Sequence, residues 1–179
     1  MIRLFVAIPL PEPIRAQLTM LQSGLRGARW IKPDNIHLTL RFIGEIRNDL
    51  ASDIDMALSE ITAPAFQLEL DGIGSFARGK HPHALWVAVA KSEPLMRLQA
   101  KIESALVRSG LAAETRKFSP HVTIARLKDI RKGRVEDWAA AHGAFRSESF
   151  PVKRFVLFSS FLSSSGAIHT EEASYPLAR

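Results

Sequence analysis

Two short segments of the chain carry the same pair of functional side chains at the same spacing. "IHLTLRF", residues 36–42, sets His37 two residues before Thr39, and "PHVTIAR", residues 120–126, sets His121 two before Thr123. Polar and apolar residues alternate in both, the pattern of a half-buried strand, so each histidine shares a face with its threonine. Imidazole can hold either protonation state near neutral pH. Two imidazoles on opposite sides of a phosphorus atom act as base and acid together. One takes a proton from an attacking hydroxyl or water, and the other gives one to the departing oxygen. Each threonine hydroxyl can donate to a non-bridging phosphate oxygen, and a nearby arginine offsets charge in the pentacoordinate transition state.

One H-x-T in a strand is a weak signal, because threonine is common in strands and a lone histidine often only lines a wall. Recurrence at equivalent positions of a repeat raises it, since duplicating a core does not require keeping both histidines and both threonines. Zinc is the rival occupant for two histidines. Neither motif has HExxH spacing, a cysteine or a carboxylate at ligand spacing beside it, so no metal and no cofactor are expected. A protein that holds a phosphate end without turnover is the non-enzymatic alternative. Paired titrating groups argue against it, because binding alone does not call for them.

The elements that position these residues are themselves repeated. "LFVAIPLPEPIRAQL" begins at Leu4 and "LWVAVAKSEPLMRLQ" at Leu85, 81 residues later; His37 and His121, like Phe66 and Phe150, stand 84 apart. Each copy reads strand, helix, strand, helix, strand. In the first, Pro11 and Pro13 open a helix with Ile14, Leu18, Leu21 and Leu25 on one face. A second helix starts at about Asn48, read as its N-cap, with Leu50, Ile54, Ala57 and Ile61 inward. In the second copy, Ser92 and Pro94 open a helix with Leu95, Leu98, Ile102 and Leu106 inward, ending near Gly110. A helix around "VEDWAAAH" follows, and "SSSG" turns a final hairpin. The expected fold is α+β: one bilobal domain over 1–179, built of pseudo-repeats 1–80 and 81–179 packed tightly about a pseudo-twofold.

The 179 residues can bury a real core. Net charge is +6, which favours an anionic partner. The run "RLKDIRKGR", residues 126–134, reads first as a solvated loop and second as a phosphate contact. There is no cysteine, which points to a reducing cytoplasm. No apolar run approaches the ~20 residues of a membrane span, and "MIRLFVAIPLPEPIR" reads as a first strand rather than a signal peptide. Nothing suggests an obligate protein partner, and a monomer is expected.

With both motifs in place, "RLFVAI", "IHLTLRFIG", "LWVAV" and "FSPHVTIAR" resemble the 2H phosphoesterases, specifically the RNA 2′,3′-cyclic phosphodiesterases once called 2′-5′ RNA ligases. The resemblance runs in order from residue 3 to about 176. It implies mainly antiparallel sheets around a central cleft, and metal-independent opening of RNA 2′,3′-cyclic phosphate ends to 2′-phosphomonoesters. Reverse 2′-5′ ligation is allowed by the same chemistry, and small cyclic nucleotides or 2′-5′ oligonucleotides are alternative substrates. It also implies His37 as proton donor, His121 as proton acceptor, and Thr39, Thr123 and Arg126 as phosphate-binding residues. Arg126 lies five residues past His121, so it reaches His121's face only if the strand ends or bulges near Ala125. Arg41 has the right parity and stands as its substitute. Two positions depart from the family's pattern: His83 precedes the L-W strand in place of an arginine, and His169 replaces a common aromatic. Both read as surface or loop residues, as do His81 and His142. Phe42 and Trp86 are expected in the core.

Overall fold

The computed structural model describes residues 1–179 and turns the two repeats into two four-stranded sheets. In chain order the elements are β1 (Ile2–Pro9), α1 (Glu12–Leu21), β2 (Arg29–Trp30), a 3₁₀ turn (Pro33–Asn35), β3 (His37–Ile46), α2 (Asn48–Ser59), β4 (Phe66–Leu68), β5 (Leu70–Arg78), β6 (His81–Val89), α3 (Glu93–Arg108), β7 (His121–Arg126), α4 (Lys132–Ala141), β8 (Phe150–Val152), β9 (Arg154–Ser163) and β10 (Gly166–Pro176). One sheet has the order β10-β9-β1-β3, the other β2-β7-β6-β5, and β4 pairs with β8 as a separate ribbon. All strand pairings are antiparallel.

The sheets do not coincide with the repeats. The first repeat contributes β1 and β3 to one sheet but sends β5 to pair with β6; the second contributes β6 and β7 but sends β9 to pair with β1. Each copy thus lends a long strand, β5 or β9, to the sheet of the other, and β10 follows β9. The larger of two cores, of 34 buried residues, runs through both, joining Leu38 and Leu40 of β3 to Val122 and Ile124 of β7 and to helix residues such as Ile14, Ile54, Leu98 and Trp138; Phe5, Ala7, Val156 and Phe158 form a smaller one.

The helices bury their apolar stripes against one face of each sheet. Ser92 caps α3 by accepting a hydrogen bond from the Leu95 backbone N–H at 3.3 Å, and Leu95, Leu98, Ile102 and Leu106 all point inward as expected. Two helix details differ from the sequence reading. In α1 only Ile14 and Leu18 are buried within the helix, because it ends at Leu21 and Leu25 joins the core from the loop beyond. In α2 the cap is Arg47, Asn48 is the first helical residue, and Leu58 rather than Ala57 completes the buried face with Ile54. A spacing of four, not three, is what keeps the second side chain on the stripe here.

Candidate active site

Strand β3 is the last strand of its sheet, and it lies alongside β7 of the other sheet. This seam sets the two H-x-T strands next to each other. Leu38, Leu40, Val122 and Ile124 turn into the core, so His37, Thr39, His121 and Thr123, all half-buried, occupy the faces that the helices leave open. Those open faces form the cleft.

Each motif strand carries a β-bulge just past its threonine, and the bulges decide where the arginines go. Opposite β1, Thr39 faces Ala7 and Arg41 faces Val6, leaving Leu40 unopposed. Opposite β6, Thr123 faces Trp86 and Ala125 faces Leu85, leaving Ile124 unopposed. A glutamine stabilises each extra residue: Gln99 donates to the Leu40 carbonyl at 3.3 Å, and Gln22 to the Ile124 carbonyl at 3.1 Å. The bulge inverts parity for everything beyond it. Arg126 is therefore turned to the face of Thr123, opposite Ala84, which in turn lies opposite Phe76. Arg126 is exposed.

The same inversion corrects two expectations in β3. Arg41 leaves the cleft for the side of Val6, where its Nε donates to Glu103 at 2.5 Å and its Nη2 to the Ala112 carbonyl at 2.6 Å. Arg41 holds the Glu103 carboxyl below its usual range, chiefly by this hydrogen bond. It is committed to α3 and is not a substitute for Arg126. Phe42 takes the cleft face instead, opposite Phe5, and is 66% exposed rather than in the core. Phe42 and Arg126 hold equivalent positions in the two repeats. Trp86 is also outside the core proper: its ring lies half-buried over Gly74 and beside Thr123.

The two histidines sit in different surroundings. His121 stands edge-on to Phe76, with ring centroids 4.9 Å apart, and its Nδ1 lies 2.7 Å from the Ser119 carbonyl. A carbonyl can only accept, so Nδ1 carries a proton and Nε2 is the ring nitrogen left to exchange one. His37 is packed among Phe158, His169 and Phe5, at centroid distances of 4.4, 5.2 and 5.9 Å. Burial pushes the His37 pKa down to about 4, with His169 and Arg15 acting in the same direction and Glu171 opposing them. His169, read from the sequence as a loop residue, is thus a wall of the His37 site. Its own pKa is lowered by burial, and its Nδ1 is buried without a hydrogen-bond partner. The only sequence signal for it was its place where the family has an aromatic. Of the others, His142 stacks on Trp138 at 4.0 Å and His83 lies beside Phe76, while His81 is exposed.

A duplicated α+β fold with H-x-T on the two adjoining strands is that of the 2H phosphoesterase superfamily. The family model for LigT-like phosphoesterases matches residues 8–86 and again 87–169, and the chain belongs to that family. It is 31% identical over 175 residues to an RNA 2′,3′-cyclic phosphodiesterase of Archaeoglobus fulgidus, covering 94% of this chain and 97% of that one. A protein of the same name from Thermotoga maritima is 32% identical over 93% of this chain and 91% of its own length. Among solved structures, Escherichia coli LigT in complex with 3′-AMP superimposes with a TM-score of 0.82, at 25% identity and 99% coverage of both chains.

Proposed function

We propose that this chain hydrolyses RNA 2′,3′-cyclic phosphate ends to 2′-phosphomonoesters, without a metal, by acid–base catalysis between His121 and His37. The observation that carries the reading is the pair of H-x-T faces on adjoining β3 and β7, with His121 Nδ1 tied to the Ser119 carbonyl and Nε2 left to exchange a proton. The names of the Archaeoglobus and Thermotoga relatives support the substrate class.

His121 Nε2 takes a proton from water as the water oxygen attacks phosphorus. The bond from phosphorus to the 3′ oxygen breaks, and His37 delivers a proton to that oxygen. Thr39 and Thr123 donate to the non-bridging oxygens, and Arg126 balances the added negative charge. Burial keeps His37 neutral in the free protein. An arriving phosphodiester anion raises its pKa, so the donor proton is taken up with the substrate. Phe42 offers a base an exposed flat surface on the same face. Both motifs come from one chain, so a monomer suffices. No helix is long and apolar enough to cross a membrane, and the cytoplasm is the compartment we infer.

The test is an RNA oligonucleotide bearing a 2′,3′-cyclic phosphate, incubated with the protein in excess EDTA beside His37→Ala and His121→Ala. Opening to a 2′-phosphate, reduced ~10²–10⁴-fold in each variant, is the expected result. Binding without opening by the unsubstituted protein would make it an RNA-end binder, and activity surviving either substitution would move the site elsewhere.

A further inference from the structure

Beside Arg126 the fold places a second cleft-facing cation that the sequence reading passed over. β2 is only two residues long, yet it extends the β7 edge in strict register, Arg29 opposite Arg126 and Trp30 opposite Ala125. Ala125 is fully buried, so Trp30 turns inward and Arg29 turns out with Arg126.

Several contacts fix this arrangement. Trp30 packs against Trp138 at 5.8 Å, and the Trp138 indole N–H donates to the Ser23 carbonyl at 2.8 Å. The Ile31 backbone N–H donates to Ile124 at 3.0 Å, and Gln22 donates to the carbonyl of Ile31 at 2.8 Å. The edge strand is held by its buried neighbours, which leaves Arg29 free of any structural duty.

Two guanidinium groups directly opposite each other on antiparallel strands repel. Six of the sixteen arginines, Arg15, Arg41, Arg47, Arg97, Arg146 and Arg154, form an ion pair. Arg29 and Arg126 form none, and both are exposed. A like-charged pair held in register without a counter-charge is stabilised by a bound anion. Arg126, three residues past Thr123, is within reach of the reacting phosphate. Arg29 lies one strand spacing, about 4.8 Å, farther toward the open edge of the sheet.

We propose that Arg29 binds the phosphodiester adjacent to the terminal cyclic phosphate, which makes the preferred substrate an oligoribonucleotide and not a cyclic mononucleotide. This rests on the hydrolase reading above. Arg29 acts on specificity: it contacts substrate one nucleotide away from the reacting bond and leaves the chemistry to the histidines.

The test compares adenosine 2′,3′-cyclic phosphate with a diadenylate ending in a 2′,3′-cyclic phosphate, using the full chain, Arg29→Gln and Arg29→Lys. In the unsubstituted protein the dinucleotide has the higher kcat/KM. Arg29→Gln lowers kcat/KM for the dinucleotide by about tenfold, far more than for the mononucleotide, and Arg29→Lys restores most of the difference. The slope of log kcat/KM against log salt for the dinucleotide falls by about 0.7 in Arg29→Gln, the value for one lost phosphate contact on a single strand. Equal loss on both substrates, or no loss on either, would overturn the proposal while leaving the hydrolase reading intact. No hydrolysis of either substrate by the unsubstituted protein would overturn both.

Discussion

Gln67 lies directly opposite Pro151 in the β4–β8 ribbon, and the two residues are equivalent members of the repeat. Phe66 faces Val152 and Leu68 faces Phe150 on either side of them. An antiparallel pair formed by the same strand from two copies must be centred on a local twofold, and Gln67–Pro151 marks where it passes. The same symmetry explains why β3 meets β7, also equivalent strands, at the seam of the cleft. Duplication followed by exchange of β5 and β9 therefore generates both the sheets and the paired site, and one half cannot present the site alone.

It follows that residues 1–79 and 80–179, produced separately, do not fold. The first would leave β1 without β9, stripping cover from Val6 and Ile8, which are at most 2% exposed. The cut falls in the exposed turn between β5 and β6, so nothing buried is interrupted. Far-ultraviolet circular dichroism is expected to show little structure in either fragment and recovery of helix and strand signal when they are mixed. A cooperative unfolding transition in either fragment alone would show that the exchange is dispensable.

Much of this was readable from residue patterns because the patterns are local. Alternation at 36–42 and 120–126 marked β3 and β7, and Ser92 with Pro94 marked the start of α3. The exchange was not readable, since strand partnership is set by long-range packing and each repeat has the same internal order whichever sheet receives β5 or β9. Strict parity failed at Leu40, where one unopposed residue sends Arg41 to Glu103 and Phe42 to the cleft. The condition stated for Arg126, a bulge near Ala125, is met at Ile124. β2 was missed because two residues carry no periodicity.

The His37 environment yields a pH prediction. On the proposed mechanism the active pair holds one proton between His37 and His121, so kcat/KM has one limb near pH 4, the value to which His37 is lowered. Replacing His169 by Phe keeps the burial and removes a repelling imidazole, so the limb moves up in pH. Folding stability follows the same group. His37 titrates lower in the folded chain than in the unfolded one, so its contribution is complete above about pH 6.5 and lost as pH falls toward 4. The loss amounts to at most about 3 kcal/mol, less whatever its partial exposure screens. Urea unfolding at pH 7 and 4.5 checks this: His37→Phe should flatten that part of the slope, and an unchanged slope would exclude His37 as its source.

Gly74 is expected to matter to activity without touching substrate. A Cβ there would sit 2.7 Å from Cζ3 of Trp86 and closer still to Cζ2 and Cη2. The ring would have to leave its place beside Thr123 on the cleft face. Gly74→Ala should cost about 1–3 kcal/mol through this overpacking and lower kcat/KM several-fold, with a change in tryptophan fluorescence reporting the moved indole. Reduced activity with unaltered fluorescence would point to another cause.

Arg41 and Arg126 separate stability from substrate binding. Arg41 is 9% exposed in its side chain and Glu103 22% exposed, so Arg41→Gln leaves a partly buried carboxylate and the Ala112 carbonyl without their donor. A loss of about 1–3 kcal/mol is expected, read as a lower urea midpoint, with KM unchanged because the guanidinium lies on the core side of β3. Arg126→Gln should do the reverse. Its side chain is exposed and makes no ion pair, so the unfolding midpoint should hold. Loss of a charge-assisted contact to the reacting phosphate should lower kcat/KM by about 10–100-fold. Measuring both midpoints and both kinetic constants under one set of conditions distinguishes the bulged arrangement from strict alternation, under which Arg41 would be the residue that binds phosphate.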